Sequence, residues 1–151
     1  GAGAHPCLMA GTQLIDECAL TVPAAARLLV DDRQIPVGRA PVDGSAFDFR
    51  RARRIGHTQL DTAFTDLQRA GDGLAWAVLE GPSRTVRMWV DATHSYLMVF
   101  TGDTLPPGRQ RRGLAIEPMT CAPNALQSGD GLRTLQPGET FASEWGIVVQ
   151  D

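Results

Sequence analysis

The sequence predicts an all-β protein built as a sandwich of sheets. Turn-forming pairs such as Asp43-Gly44, Gly81-Pro82 and Pro137-Gly138 recur along the chain, separated by short segments rich in Val, Leu, Phe, Trp and Thr. This pattern is typical of many short strands and few helices. The 151 residues, 43% apolar and 21% charged, suffice for one folded domain, and we find no internal repeat or linker. We therefore treat residues 1–151 as part of one domain.

The first half of the chain offers one ambiguous segment and one clear strand. Residues 24–30 are the only stretch that suggests a short helix, although they are too few to establish one. Residues 74–79 are apolar on both faces, as expected of a central strand in stacked sheets. The three tryptophans lie in such apolar segments, so we expect them to pack in the core rather than against a sugar. They are Trp76, Trp89 and Trp145.

The second half shows the two-residue period of a strand more directly. In residues 85–90, Val86, Met88 and Val90 share one face, opposite Arg87. Residues 96–100 are apolar except for one tyrosine and again suit a central strand. A last strand is predicted for residues 141–149, with its large apolar side chains on one face: Phe141, Trp145, Ile147 and Val149.

Charge and hydropathy exclude several classes of partner. The net charge of −3 and the pI near 5.6 argue against nucleic-acid binding, which needs a basic surplus. No apolar run reaches the roughly 18 residues of a membrane span, and no secretion signal is recognisable, so we expect a cytoplasmic protein. One basic cluster remains, and it is either a solvated strand edge or a phosphate contact. It comprises Arg50, Arg51, Arg53 and Arg54.

Cysteine and histidine usage gives no sign of a metal site. Cys7, Cys18 and Cys121 are odd in number and form no Cys-x-x-Cys pair, so we expect free, buried thiols. The three histidines lack metal-ligand spacing. We predict neither a metal nor another cofactor.

Glu117 is the most informative single residue, because it lies at the end of an otherwise apolar strand, residues 112–119. A carboxylate there costs several kcal/mol to bury unless it is paired or hydrogen-bonded. Such an environment tunes proton affinity, which general acid–base catalysis requires. A carboxylate merely paired with an arginine at the strand end is the structural alternative.

Six motifs then occur in one order along the chain. They are Gly-Ala-His-Pro at 3–6, Gly-Ser-Ala-Phe-Asp-Phe-Arg at 44–50, Leu-Asp-Thr-Ala-Phe at 60–64, Phe-Thr-Gly at 100–102, Gly-Leu-Ala-Ile-Glu-Pro at 113–118 with Ala-Pro-Asn at 122–124, and Pro-Gly-Glu at 137–139. Together they resemble the aldose 1-epimerase (galactose mutarotase) family. Full-length members are longer, and this chain begins at a motif found near their middle.

The resemblance implies that the chain is the C-terminal half of a galactose-mutarotase-like β-supersandwich. Family members carry a further histidine and an arginine of the sugar site in the half that is absent here. The chain is then either a fragment or one piece of a cleaved or split protein. In the second case, a second polypeptide would carry the N-terminal half. We expect the segment alone not to be a stable, active unit.

The resemblance also implies a cofactor-free mutarotase that interconverts the α and β anomers of a free aldose. It makes Glu117 the base, His5 the acid, and Asp61 an acceptor for sugar hydroxyls. Met98 occupies a substrate-binding position at which the family commonly has a glutamine, and a thioether cannot donate a hydrogen bond. His94 and Tyr96 are candidates to compensate. Cys7 and Leu8 replace an aromatic pair, so that wall of the cleft should be smaller and more apolar.

Two alternatives stay open at this point. Met98, the Cys7-Leu8 pair and the missing half also fit a sugar-binding or regulatory relative without turnover. A mutarotase for hexose phosphates would use the arginines near position 50 as bidentate phosphate donors.

Overall fold

The structure, a computed structural model, describes residues 1–150, and almost all regular structure in them is β. The only helical pieces in this range are a 3₁₀ turn, Ile15–Glu17, and one short helix, α1 (Ala125–Ser128). The strands in chain order are β1 (Cys7–Leu8), β2 (Ala19–Thr21), β3 (Ala24–Val30), β4 (Pro36–Pro41), β5 (Arg53–Arg54), β6 (Asp61–Leu67), β7 (Ala75–Glu80), β8 (Thr85–Val90), β9 (Tyr96–Phe100), β10 (Leu114–Met119) and β11 (Trp145–Gln150).

These strands form two antiparallel sheets, as the all-β prediction requires. The front sheet has six strands in the order β1-β10-β9-β6-β3-β4, and the back sheet has five in the order β11-β8-β7-β2-β5. The two apolar segments predicted as central strands, β7 and β9, each lie between two neighbours. No helix in residues 1–150 has the length and hydropathy needed to cross a membrane.

The core lies between the sheets and is filled by alternate residues of each strand. Val86, Met88 and Val90 of β8 are buried, as their period predicts, and they pack against front-sheet residues that include Leu97 and Ile116. Burying a side chain of this size contributes on the order of 1.5–3 kcal/mol. The packing therefore fixes which face of the front sheet points outward.

Residues 24–30 form strand β3, so the helix suggested for them is wrong. Burial alternates along β3, which is paired with β4 on one side and β6 on the other. Three successive alanines favour a helix intrinsically, but that preference amounts to tenths of a kcal/mol per residue. Two flanking strands and a buried face outweigh it.

The expectation that all three tryptophans pack in the core is also wrong. Trp76 lies on the outer face of the back sheet, where the Arg87 guanidinium stacks 4.3 Å from its ring centroid. Trp89 covers Gly146 on the neighbouring strand, and a Cβ on that glycine would lie 2.7 Å from the indole nitrogen. Trp145 is exposed. An apolar alternation predicts a strand but does not say which of its faces is covered.

Strand β11 is shorter than predicted and leaves an apolar strip uncovered. It begins at Trp145, so Phe141 lies outside it. The residues of β11 opposite the buried positions of β8 share the core-facing side. They remain 37–54% exposed although they lie on that side. This β11 strip consists of Trp145, Ile147 and Val149.

Candidate active site

The N-terminal segment positions His5 by running antiparallel to β10 in one register. Gly3 pairs with Met119, and Cys7 pairs with Ala115. This register places His5 directly opposite Glu117. Directly opposed residues on antiparallel strands have their Cβ atoms about 4.5–5.5 Å apart on the same face. The two side chains are therefore brought together by backbone pairing rather than by a loop.

Two prolines in this pairing lack the N–H that would donate the second bond of each pair, but their carbonyls still accept the first, so the pairing persists with one bond in each pair. Ala4 donates its N–H to the carbonyl of Pro118, and Ile116 donates to the carbonyl of Pro6. Each proline accepts a bond that the partner donates, while the return bond is absent. His5 and Glu117 lie between these bonded pairs, at the kind of position where facing side chains are closest.

The side chains of His5 and Glu117 are in direct contact, with His5 Nε2 2.9 Å from Glu117 Oε1. The histidine is 67% exposed and the carboxylate only 15%. Burial raises the pKa of Glu117, the nearby His5 lowers it, and the negative charge of Asp61 raises it again; the net direction is upward. The structure therefore joins an accessible imidazole to a carboxylate that holds its proton more readily than a free one. Glu117 lies within β10 and not at its end, since Pro118 and Met119 continue the strand.

Asp61 lies on the same face of the front sheet. It pairs with Phe100, which pairs with Ala115, two residues before Glu117. Its side chain is exposed, while the preceding Leu60 is buried. Within residues 1–150 no donor contacts the Asp61 carboxylate, so it is free to accept hydrogen bonds from a ligand.

Met98 lies directly opposite Glu117, on β9, and Ala63 follows on β6. It is half-buried and packs in a small apolar cluster on the outer face of the front sheet. The other members are Leu28, Ala63, Tyr96, Met119 and Ala122. The floor beside the two carboxylates is thus apolar, and none of the side chains adjoining Glu117 on β9 offers an amide.

The two residues proposed to compensate for Met98, His94 and Tyr96, already make other side-chain contacts. His94 is buried, and its Nδ1 lies 2.9 Å from Asp91 Oδ1. Tyr96 does lie on the site face, two residues before Met98, but its hydroxyl accepts a hydrogen bond from Arg39.

The pair Cys7-Leu8 divides between the two faces of the front sheet. Cys7 pairs with Ala115 on the face of Glu117, whereas Leu8 is buried in the core. All three cysteines are free, but only Cys18 is buried, so the expectation of three buried thiols is wrong for Cys7 and Cys121. Cys7 is exposed because β1 is the edge strand.

Three arginines of the cluster, Arg50, Arg51 and Arg53, line a separate cavity of about 740 Å³ that shares no residue with the site. Arg50 donates to the carboxylates of Asp48 and Asp43, and its hydrogen bonds bring the pKa of Asp48 to about 2. Arg53 stacks 3.9 Å from the Phe49 ring centroid. Strand β5 is the edge of the back sheet, which agrees with the strand-edge interpretation of the cluster.

A polar group on the site face had no signal in the sequence. Arg39 Nη2 donates to the Tyr96 hydroxyl at 2.8 Å and to Asp130 Oδ2 at 2.9 Å. These residues are up to 91 positions apart in the chain. No local pattern connects them, so only the fold could reveal the group.

Comparison with known proteins places these features in a family. The family model for aldose 1-epimerase matches residues 1–147. The chain is 30% identical over 150 residues to the uncharacterized protein YihR of Escherichia coli K12, covering 99% of this chain and 46% of YihR. It thus spans about half the length of the curated relative it matches.

Solved structures show the same fold. A GalM/aldose epimerase homologue from C. elegans superposes with a TM-score of 0.81 at 16% identity, over 98% of this chain and 51% of that one. A putative aldose 1-epimerase from E. coli K12 gives a TM-score of 0.77 at 20% identity, over 98% and 49%. Both are about twice as long as the segment matched here.

Proposed function

The chain belongs to the aldose 1-epimerase family, and from that premise we propose that it supplies the acid–base half of a mutarotase site. The observation that carries the proposal is the 2.9 Å contact between His5 and Glu117 on an open sheet face. The substrate class is a free aldose, and the reaction interconverts its α and β anomers without a cofactor.

Ring opening needs two proton transfers, and the two side chains fit them. The Glu117 carboxylate takes the proton from the anomeric hydroxyl as that oxygen becomes a carbonyl, and the bond from the anomeric carbon to the ring oxygen breaks. His5 donates a proton to the ring oxygen. After rotation about the bond between the first two carbons, both transfers run in reverse and close the other anomer. Each transfer contributes typically a hundredfold or more.

The environment of Glu117 suits a base of this kind. Burial and the charge of Asp61 raise the pKa of Glu117, and a base is most effective when its pKa lies near the working pH. The Glu117 carboxylate contacts His5, and a bound sugar would take the place of that contact, with each side chain meeting a different oxygen. Asp61 then accepts hydrogen bonds from the sugar hydroxyls, and Met98 lies under the ring.

We further propose that the other wall of the site comes from the first half of a family domain, on this or a second polypeptide. The chain spans about half of its relatives, and the His5 side chain that contacts Glu117 is 67% exposed on that face of the sheet. The β11 strip also lacks a covering layer. We call this chain together with that other half the assembled domain.

The test is polarimetry of freshly dissolved α-glucose and α-galactose with the assembled domain. We expect faster equilibration, and we expect Glu117→Gln to lower the catalysed rate by a factor of roughly 10²–10⁴. Glu139→Gln is the matched control, because Glu139 lies in an exposed turn and its carboxylate accepts a hydrogen bond from the Gln136 N–H. Wild-type activity in Glu117→Gln would refute the assigned base.

A sugar-binding relative without turnover is the second candidate, and Met98 favours it. A thioether opposite the base cannot donate a hydrogen bond that would orient the sugar for proton transfer. Calorimetric sugar binding without rate enhancement at any pH would favour this candidate. The hexose-phosphate alternative has less support, since Asp43 and Asp48 already engage Arg50. Inhibition of sugar binding by inorganic phosphate would support the hexose-phosphate alternative.

A further inference from the structure

The N-terminal segment, residues 1–8, carries the proposed acid at the edge of the front sheet. Within residues 1–150 its only sheet neighbour is β10. On either side of His5, the pairs that include Pro6 and Pro118 each have one hydrogen bond instead of two, because proline lacks the second N–H. The register of His5 therefore depends on what holds the two ends of this segment.

Thr120 holds the first of these ends, and it does so with its side chain as well as its backbone. Its N–H donates to the Ala2 carbonyl at 3.0 Å, as in an ordinary antiparallel pair. The Ala2 N–H donates to Thr120 Oγ1 at 2.8 Å, and that hydroxyl donates to the Ala2 carbonyl at 3.2 Å. Three hydrogen bonds thus join Thr120 to a single residue of the segment, which lies about 10 Å of extended chain before His5.

The Thr120 hydroxyl serves only this contact in the part of the chain that the structure describes. The residue is 7% exposed, and a buried hydroxyl is costly unless it is hydrogen-bonded. Two glycines show how closely the segment lies against its partner. A Cβ on Gly3 would lie 3.1 Å from the Pro118 carbonyl oxygen, and one on Gly1 would lie 2.2 Å from Cys121 Sγ. The buried hydroxyl and the close approach together indicate a built attachment point at this end.

We propose that Thr120 is a positioning residue, which holds the N-terminal segment in the register that brings His5 into contact with Glu117. The inference rests on the proposed function, in which His5 is the acid. Thr120 is not a group of the reaction itself and acts through His5. Without its hydroxyl, the two-bond pair before His5 loses one bond, and the paired strand β1 holds the segment only beyond the histidine. The imidazole then leaves the carboxylate for part of the time.

The contact between His5 and Glu117 has a readout besides activity. The nearby His5 lowers the pKa of Glu117. If Thr120 maintains the contact, loss of its hydroxyl should raise the pKa of Glu117, as removal of the imidazole would. A threonine that served only the stability of the fold would leave that pKa unchanged.

The test compares Thr120→Val with Thr120→Ser in the assembled domain. Valine keeps the branched shape without the hydroxyl, whereas serine keeps the hydroxyl. We expect Thr120→Val to lower kcat for glucose mutarotation about tenfold, the loss that one or two net hydrogen bonds correspond to. KM should change little, because the lost interaction acts in the transition state. A carbon NMR titration should show a raised pKa of Glu117.

Thr120→Ser should restore both kcat and the pKa of Glu117. Thr65→Val is the matched control, because Thr65 is a buried threonine of β6 whose hydroxyl donates to the Ser95 carbonyl at 3.1 Å. It should leave both quantities unchanged. In the His5→Gln background, Thr120→Val should cause no further loss of rate.

Four results would overturn the positioning role. Thr120→Val leaves the pKa of Glu117 unchanged, it leaves kcat unchanged in an active domain, Thr120→Ser is as impaired as Thr120→Val, or Thr120→Val slows the His5→Gln protein by the same factor as the wild type. If Thr120→Val unfolds the protein, Ala2→Pro decides. It removes the N–H that donates to the hydroxyl, lies at an exposed position, and should also lower kcat and raise the pKa of Glu117.

The same samples separate this inference from the proposed function. A raised pKa of Glu117 in Thr120→Val that serine restores, in a domain without mutarotation, would refute only the enzyme. Mutarotation that depends on Glu117 but not on Thr120 would refute only the positioning role.

Discussion

Asp61 and Glu117 lie on the same face of the front sheet, two strands apart, and the negative charge of Asp61 raises the pKa of Glu117. Burial acts in the same direction and is the larger cause, while the nearby His5 acts against both. The proton affinity of the proposed base is therefore set by burial and by two neighbours, His5 and Asp61, each of which can be changed separately.

Asp61→Asn should lower the pKa of Glu117, because it removes a charge that disfavours the ionised form. The base works only when ionised, so the acidic limb of the pH dependence of kcat/KM should move to lower pH. His5→Gln should move the pKa of Glu117 upward. A carbon NMR titration of the Glu117 carboxyl measures both changes even where activity is lost, with Asp72→Asn as the remote control. Shifts of the opposite sign would contradict this account of the site.

Met98→Gln should strengthen the binding of glucose or galactose, because an amide opposite Glu117 can donate and accept hydrogen bonds. The substitution places a polar group against the apolar cluster around Leu28 and should lower the free energy of unfolding by about 1–2 kcal/mol. Calorimetry and urea denaturation measure the two effects. Met9→Gln, at a residue 58% exposed, is the control and should change neither. An unaltered sugar affinity in a folded Met98→Gln protein would show that this position does not contact the sugar.

Asp91 should stabilise the fold in a pH-dependent way. Burial alone would raise the pKa of Asp91, but hydrogen bonds from Thr93, Glu144 and His94 outweigh it and bring the pKa to about 2. The stabilisation is complete above the unfolded pKa near 4 and is lost as the pH falls toward 2.

Asp91→Asn should therefore lower the free energy of unfolding at pH 7 by about 2 kcal/mol. In urea denaturation this difference should shrink between pH 4 and pH 2. Asp32→Asn, in an exposed turn, is the matched control and should leave the free energy of unfolding unchanged at both neutral and acidic pH. A difference that stays constant with pH would mean that the charge of Asp91 is not responsible.

The β11 strip should make the isolated chain self-associate. The strip lies on the core-facing side of the back sheet but is exposed to solvent; it comprises Trp145, Ile147 and Val149. An exposed apolar edge strand readily pairs with another chain. Ile147→Lys should reduce the association measured by sedimentation, whereas Val37→Lys, an exposed valine on β4, should not. An isolated chain that is monomeric and fully active would contradict both this prediction and the need for a first half.

Sequence patterns predicted the strands that alternate or that are apolar throughout. The period of Val86, Met88 and Val90 identified β8 and its buried face, and the motifs at 3–6 and 113–118 singled out the two residues that the register brings into contact. The helix suggested for residues 24–30 was wrong because strand pairing on both sides overrode a weak helical preference.

The sequence could not predict which sheet faces are buried, or which polar side chains far apart in the chain come into contact. Trp145 and Val86 both sit in apolar strands, yet only Val86 lies beneath the front sheet. The group of Arg39, Tyr96 and Asp130 depends on three elements meeting on one face. Such groups carry no signature in local spacing.

The central claim is that His5 and Glu117 act as one acid–base pair. A double-mutant cycle tests it most directly, with the catalysed mutarotation rate measured for His5→Gln, Glu117→Gln and the combined variant. Residues that act as a unit give strongly non-additive losses. We predict that the combined variant is about as slow as the slower single variant. If the two losses multiply, the residues contribute independently, and the pairing seen at 2.9 Å is not the basis of catalysis.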